Sequence, residues 1–329
     1  MKENNKKQFI GMLALFVTAL IWGLSFIAQS EGMTKIGPFT FSAVRQLLGG
    51  MCLMVFIVVR DLIKVKKMTH DEKLDLKEGN KRVLIYGCII GVVFFIATNM
   101  QQFAFLSTKP SKIAFITSFY IFFVTIFGIF LGKRPFWMLW IGVGLGILGL
   151  FFICIGPNGF GQVKLGDFLS LGCSFFFAIQ IMLAERMAPY VDVIKLSAVQ
   201  FIFSGTVSTV CMFIFEKPVI ADILSVSFAL IFSGVFSVGI AYTLQMVGQK
   251  YTDATVASLI MCLESVFATI AESVYYKTFL TRSETIGCVI MLLAIVIAQL
   301  SEPVNAKLRQ AKEKKARNEQ QSGGGTDEN

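Results

Sequence analysis

The 329-residue chain is 55% hydrophobic and only 16% charged, against roughly 25% charged residues in soluble domains, and its mean hydropathy is +0.70. So much apolar surface exceeds what one soluble core of this size can hold, which excludes an ordinary soluble enzyme and points to a protein embedded in a lipid bilayer. The net charge of +9 does not indicate a nucleic-acid partner, because the basic residues flank apolar runs instead of gathering with aromatics on one solvated face.

A helix needs about 20 apolar residues to cross roughly 30 Å of hydrocarbon, and ten segments qualify. The first, 9–29, follows Lys2, Lys6 and Lys7 as a signal peptide's apolar stretch would. It is long and lacks a small-residue cleavage pattern, so it is expected to persist as a helix. Spans at 38–59 and 83–106 flank a highly charged segment, 61–82, expected to be solvated and mobile. Spans at 113–132 and 136–155 complete a first group of five. The second group runs 167–183, 196–215, 223–247, 255–276 and 286–300, and a polar tail, 301–329, follows.

Lys and Arg are retained on the cytoplasmic side of a membrane. With the N-terminus inside, the inner segments carry 22 of them and the outer segments 7. Both termini are therefore expected in the cytoplasm of a cell whose inner (cytoplasmic) membrane holds the protein.

Offset by 155 residues, 11–50 aligns with 166–205 without a gap: Gly11 meets Gly166, Ser42-Ala43-Val44 meets Ser197-Ala198-Val199, and Gly50 meets Gly205. An offset of 143 pairs Gln102 with Gln245, Ala114 with Ala257 and Gly144 with Gly287. Identities are few, but the span pattern repeats with them. Five helices per copy is an odd number, so the second copy enters from the opposite side. The expected fold class is an all-α polytopic membrane protein of ten transmembrane helices in two inverted five-helix repeats, 9–155 and 166–300, between cytoplasmic tails 1–8 and 301–329. Inverted repeats are an architecture of secondary transporters, with substrate near the midplane between the halves.

The same residues resemble the drug/metabolite transporter superfamily, in particular its EamA-type ten-helix members. Ile21 to Ala28 (IWGLSFIA) is similar to that group's Trp-Gly-x-x-Phe signature, and Ser42 to Gly50 (SAVRQLLGG) to its Arg-containing pattern. Ala257 to Ile270 (ASLIMCLESVFATI) resembles its Glu-Pro-Val-Phe-Ala motif, and Leu280 to Ile290 its Leu-Thr and Ile-Gly motif. Ser265 stands where the motif carries proline, which is expected to straighten the ninth helix. The resemblance implies a carrier of small polar metabolites or drugs, often outward, and names no substrate.

Polar side chains in a spanning helix turn away from lipid. Ser25 and Gln29 lie four apart on one face of the first helix, and Gln180 is the repeat partner of Ser25. Asn99 and Gln102 in the third span match Tyr242 and Gln245 in the eighth. These residues, with Thr117, Tyr120 and Trp22, whose indole can stack on a substrate, are the candidate substrate-binding set. Interhelical hydrogen bonding is the competing account. Glu264 falls roughly 17 Å into the ninth helix by helical rise, near the midplane, where a carboxylate suits carrying a coupling proton or binding an ammonium. Arg45, about 10 Å into the second helix, is either an anion attractor or a structural group that snorkels to the interface or pairs with Glu31 or Glu272.

Several chemistries lack their residues. The seven cysteines lie in apolar runs with no CxxC pair and read as small hydrophobes. One histidine, His70, gives a metal site, haem or catalytic triad nothing to build on, so no metal and no cofactor is expected. Gly144, Gly146 and Gly149 fit GxGxxG inside an apolar span, where close helix packing explains them better than a nucleotide. The expectation is a non-enzymatic secondary transporter working by alternating access at a central cavity. It exports small polar metabolites, amino-acid-like compounds favoured, with Glu264 as candidate proton carrier. Its partners are a small-molecule substrate and the bilayer. The alternatives are an exporter of cationic drugs, a carrier of nucleotide-type metabolites, and a membrane scaffold or signalling protein.

Overall fold

A computed structural model describes residues 2–65, 70–132, 136–154 and 164–277, with further positions between 281 and 305. The regular structure among the described residues is all helical: α1 (Lys2–Gly32), α2 (Pro38–Val65), α3 (His70–Ala104), α4 (Pro110–Thr117), α5 (Tyr120–Phe130), α6 (Trp137–Cys154), α7 (Leu165–Met187), a 3₁₀ turn (Ala188–Tyr190), α8 (Val193–Phe215), α9 (Ile220–Ser225), α10 (Ser227–Ile231), a π-helical segment (Phe232–Ala241), α11 (Tyr242–Gln249), α12 (Ala254–Met261) and α13 (Leu263–Tyr275). Among them, eight stretches are long and apolar enough to cross a membrane, and shorter apolar helices at Trp137–Gly149 and Thr285–Ala294 stand where the fifth and tenth spans were expected. The expected tail 301–329 lies outside the described residues apart from positions 304 and 305, as do residues 66–69 of the 61–82 segment.

Three expectations change in detail. The charged segment 61–82 is mostly a continuation of α2 and α3; beyond the hydrocarbon a helix keeps its backbone bonded while charged side chains meet water. The ninth span is interrupted at Cys262, between α12 and α13. The Ser265 amide bonds the Cys262 carbonyl three residues back at 3.1 Å, a local 3₁₀ tightening. Its hydroxyl turns instead to α4, 3.1 Å from the Ala114 carbonyl and 2.6 Å from Ser118 Oγ. The fourth span breaks beside it, at Ser118 and Phe119, and Phe119 and Cys262 stand 143 residues apart. The eighth span, expected as one helix, is interrupted at Val226 and carries ten π-helical residues.

The core is built where α2 crosses α8, with α3 against α7 and α8, and α1 against α13, α11 and the π segment. Glycines set these crossings. A Cβ on Gly50 would meet Ile202 at 2.9 Å, and one on Gly205 would meet Leu47 at 2.9 Å; both pairs are related by the 155-residue offset. Likewise a Cβ on Gly91 would lie 3.2 Å from the Gln200 carbonyl, and one on Gly234 2.9 Å from the Arg45 carbonyl.

Both ends of the α2 and α8 pair are tied by acids 155 residues apart. At one end Glu216 accepts bonds from the Phe39 and Thr40 amides, each at 2.8 Å, and from Thr40 Oγ1 at 2.6 Å, so it satisfies orphan donors at the N-terminus of α2. At the other end Asp61 pairs with Lys195 at 2.6 Å while Arg60 pairs with Asp192 at 2.6 Å. The Glu216 contacts involve backbone donors with no alternative partner, whereas the Asp61 contacts are side-chain ion pairs of the kind worth little. Glu216→Ala is therefore expected to destabilise the purified protein by about 1–3 kcal/mol, and Asp61→Ala by under about 1 kcal/mol. Thermal unfolding in detergent checks the order, and equal losses would contradict it.

Candidate functional site

Polar side chains converge on one narrow cavity between the two groups of helices. Helix α1 contributes Trp22, Phe26 and Gln29, residues three and four apart on one face, and α7 contributes Phe177, Gln180 and Ile181 in the same way. Tyr242 and Gln245 enter from α11, Thr117 and Tyr120 from the two sides of the α4 and α5 break, Gln101 from α3, Arg45 from α2 and Glu264 from the first turn of α13. The space open to the centres of water-sized molecules is about 20 Å³, room for one or two waters. The cavity is thus too narrow for a metabolite as it stands, and one fits only if helices part.

Aromatic rings wall it. Trp22 and Tyr242 lie 4.5 Å apart by ring centroid, and Phe94 meets Tyr242 edge-on at 4.8 Å. Arg45 is buried, with its guanidinium 5.7 Å from the Phe41 ring centroid. Nη1 donates to Gln29 Oε1 at 2.6 Å, and Gln29 Nε2 donates in turn to Ser25 Oγ at 3.2 Å. Nε and Nη2 of Arg45 have no hydrogen-bond partner, although buried polar groups are rarely left unpaired. The expected ion pair with Glu31 or Glu272 is not made, since Glu272 accepts the Ser111 amide at the start of α4 instead, at 2.9 Å. Nor does Arg45 snorkel, being 2% exposed. Glu264, buried beside Tyr120 and Ser118, leaves Oε1 unpartnered, and Tyr120 Oη and Trp22 Nε1 are unpartnered too. A guanidinium, a carboxyl group and several orphan donors and acceptors thus share one small chamber.

The EamA-like transporter family's model matches this chain twice, over residues 9–155 and 164–299. The chain belongs to the EamA-like transporter family. It is 27% identical over 301 residues to an uncharacterized transporter of Archaeoglobus fulgidus, covering 89% of this chain and 87% of that one. It is 24% identical over 240 residues to the uncharacterized inner membrane transporter YedA of Escherichia coli, covering 68% and 71%. A crystal structure aligns with a TM-score of 0.69 at 19% identity, covering 89% of this chain and 98% of that one, which shows a shared fold. Family and apolar helices together make this a multi-pass membrane protein.

In this EamA-like transporter, eight of the eleven residues picked as substrate contacts line the cavity: Trp22, Gln29, Thr117, Tyr120, Gln180, Tyr242, Gln245 and Glu264. Three do not. Ser25 stands behind Gln29. Asn99 instead bonds the Phe95 carbonyl at 2.8 Å and Ser208 Oγ on α8 at 3.0 Å, an interhelical tie. Gln102 is buried off the cavity with both polar atoms unpartnered, while its neighbour Gln101 reaches the lining and donates to Thr117 Oγ1 at 3.3 Å. The π segment before α11 shifts that helix's phase relative to regular α3, so Gln245's partner in sequence does not share its face. Sequence reasoning also missed Phe26, Phe177, Ile181 and Ser237. Phe177 and Ile181 are the 155-residue partners of Trp22 and Phe26, a signal that was available.

Proposed function

We propose that this protein is a secondary carrier that exports amino-acid-like zwitterions by alternating access between two inverted five-helix halves. It sits in the cytoplasmic membrane with both termini inside. The carrying observation is that Arg45 and Glu264, each with buried polar atoms that lack a hydrogen-bond partner, line the same narrow cavity. Two free N–H groups on a planar guanidinium match a carboxylate, an unpartnered carboxylate oxygen matches an ammonium, and the aromatic walls suit an apolar or aromatic side chain. A zwitterion would neutralise both buried charges at once, and an unpaired buried charge is costly. The inverted arrangement is supported by the reciprocal glycine contacts, by the matching breaks at Phe119 and Cys262, and by the doubled family match. The name of the YedA relative favours the inner membrane.

Counterflow in proteoliposomes against a panel of labelled amino acids, nucleosides and organic cations tests the substrate class. Saturable exchange of neutral amino acids is expected; exchange of nucleosides or cations alone, or of nothing, overturns the reading. An organic-cation exporter would suit the aromatic walls and Glu264, but the Arg45 guanidinium would repel its substrate. Arg45→Lys keeps the charge and loses the fork. It is expected to weaken apparent affinity about tenfold or more in the same assay, and unchanged affinity would remove Arg45 from the carboxylate subsite.

A further inference from the structure

The two family-matched segments also meet at the end of the bundle where α4 and α7 begin. Asp167, in the first turn of α7 and 8% exposed, receives Lys112 Nζ at 2.8 Å and Thr108 Oγ1 at 3.1 Å. Its Oδ2 also accepts the Lys164 amide at 2.9 Å, which fixes the carboxylate to the start of its own helix. Lys112 lies in the first turn of α4 and Thr108 just before it, so the contact joins segment 9–155 to segment 164–299. Beside it the Gly166 amide donates to Ser107 Oγ at 3.0 Å, and the Ser111 amide of α4 to Glu272 of α13 at 2.9 Å.

At the opposite end α1 and α12 take the places of α7 and α4 by the repeat offsets, and they pack on one another. There the positions of Asp167 and Lys112 are held by Met12 and Thr255, which cannot form an ion pair. The paired glycines differ in the same sense: a Cβ on Gly166 would lie 2.6 Å from the Ala104 carbonyl, and one on Gly11 3.2 Å from the Gly248 carbonyl. An open pocket of about 500 Å³ lies at the Gly11 end, beside Tyr251 and Thr252. The α2 and α8 pair is tied at both ends, by Glu216 and by Asp61, and so favours neither end. A tie made at one end only weighs one conformation against the other.

We infer that Lys112 and Asp167 form a one-sided gate latch. Paired, they hold the end of the bundle where α4 and α7 begin shut over the central chamber, and their separation is the step that lets this end open. Rocking the halves apart here parts α4 from α7 and breaks the pair, whereas opening at the Gly11 end leaves it intact. The inference rests on the alternating access proposed above and on no choice of substrate. By the proposed topology the latched end faces outward, so the carrier rests closed to the outside.

The test uses the full-length protein carrying Ser237→Cys, a lining position of the central chamber, in intact cells and in inverted membrane vesicles. A membrane-impermeant methanethiosulfonate reaches the new cysteine when an end opens, and mass spectrometry follows the peptide that holds it. Lys109→Cys, at an exposed position before α4, identifies the preparation in which the latched end faces the reagent. Asp167→Asn and Lys112→Met are each expected to raise labelling at position 237 several-fold from that side and to lower it from the other. Lys112→Arg keeps the pair and is expected to keep the native rates. An unchanged rate from the Lys109 side in both variants overturns the latch. So does a rise from both sides, which is what general loosening of the bundle produces. Counterflow run in parallel separates the two readings: amino-acid exchange without a sided change removes the latch alone, and a sided change without amino-acid exchange removes the substrate class and leaves the latch standing.

Discussion

Replacing Glu264 by Gln is expected to abolish accumulation of substrate driven by a pH gradient while leaving exchange of substrate for substrate measurable. Glu264 sits in the first turn of α13, 3% exposed, with Oε1 unpartnered. A lone carboxylate in hydrocarbon is costly, so on the proposed mechanism it changes sides only when neutralised by the substrate ammonium or by a proton. Glutamine has the same shape and is neutral throughout. The empty variant then reorients without a proton, and the coupling between gradient and cargo disappears. Exchange, which needs only loaded carriers on both sides, continues with weakened affinity for the ammonium. Proteoliposomes with an imposed pH gradient, with and without a protonophore, give the comparison. Gradient-driven accumulation in the variant at the native level would show that the proton travels elsewhere.

The largest structural effect is expected at the crossing of α2 with the π segment. A Cβ at Gly49 would lie 2.5 Å from the Gly234 carbonyl oxygen and 2.7 Å from Val238 Cγ1. The first obstacle is backbone, which cannot swing aside as a side-chain tip can. Gly49→Ala therefore forces the helices apart and is expected to cost about 1–3 kcal/mol, and Gly49→Leu to leave little monodisperse protein. Gly144 supplies the control: it is also helical, but a Cβ there meets nothing within 4 Å. Gly144→Ala is expected to be neutral or stabilising by about 0.5–1 kcal/mol, because glycine is the poorer helix former. Melting temperatures in one detergent decide between them, and a harmless Gly49→Ala would mean that the crossing is looser than its geometry.

The all-helical fold and eight of the ten expected apolar spans were legible because a bilayer leaves hydropathy and length as nearly sufficient signals. The interruptions were not. Cys262 and Phe119 carry no proline or glycine to announce a break; the breaks arise where Ser118 and Ser265 bond one another and the Ala114 carbonyl, a contact 147 residues apart in sequence. Within the site, the sequence pointed to Gln29, Gln180, Gln245 and Glu264 because a polar group in an apolar run must face inward. It chose Gln102 over Gln101 because both satisfy that rule and only the helix phase separates them. Arg45 was legible as an anomaly, but its partner, Gln29, became visible only once α1 and α2 were folded together.

The π segment gives the eighth span an unusual freedom. Its hydrogen bonds reach one residue further than those of an α-helix, so the wider turn can migrate by handing a residue from one side to the other, each carbonyl exchanging one amide for the next. No backbone group is left bare in the hydrocarbon at the end of such a move, which is the condition a bilayer sets on any rearrangement. With Gly234 held against Arg45 and Leu48, migration would twist Tyr242, Gln245 and Gln249 about the helix axis together. One end of the span can stay bolted to α2 while the other turns like a key, carrying the face that meets the cavity past the helices that close it.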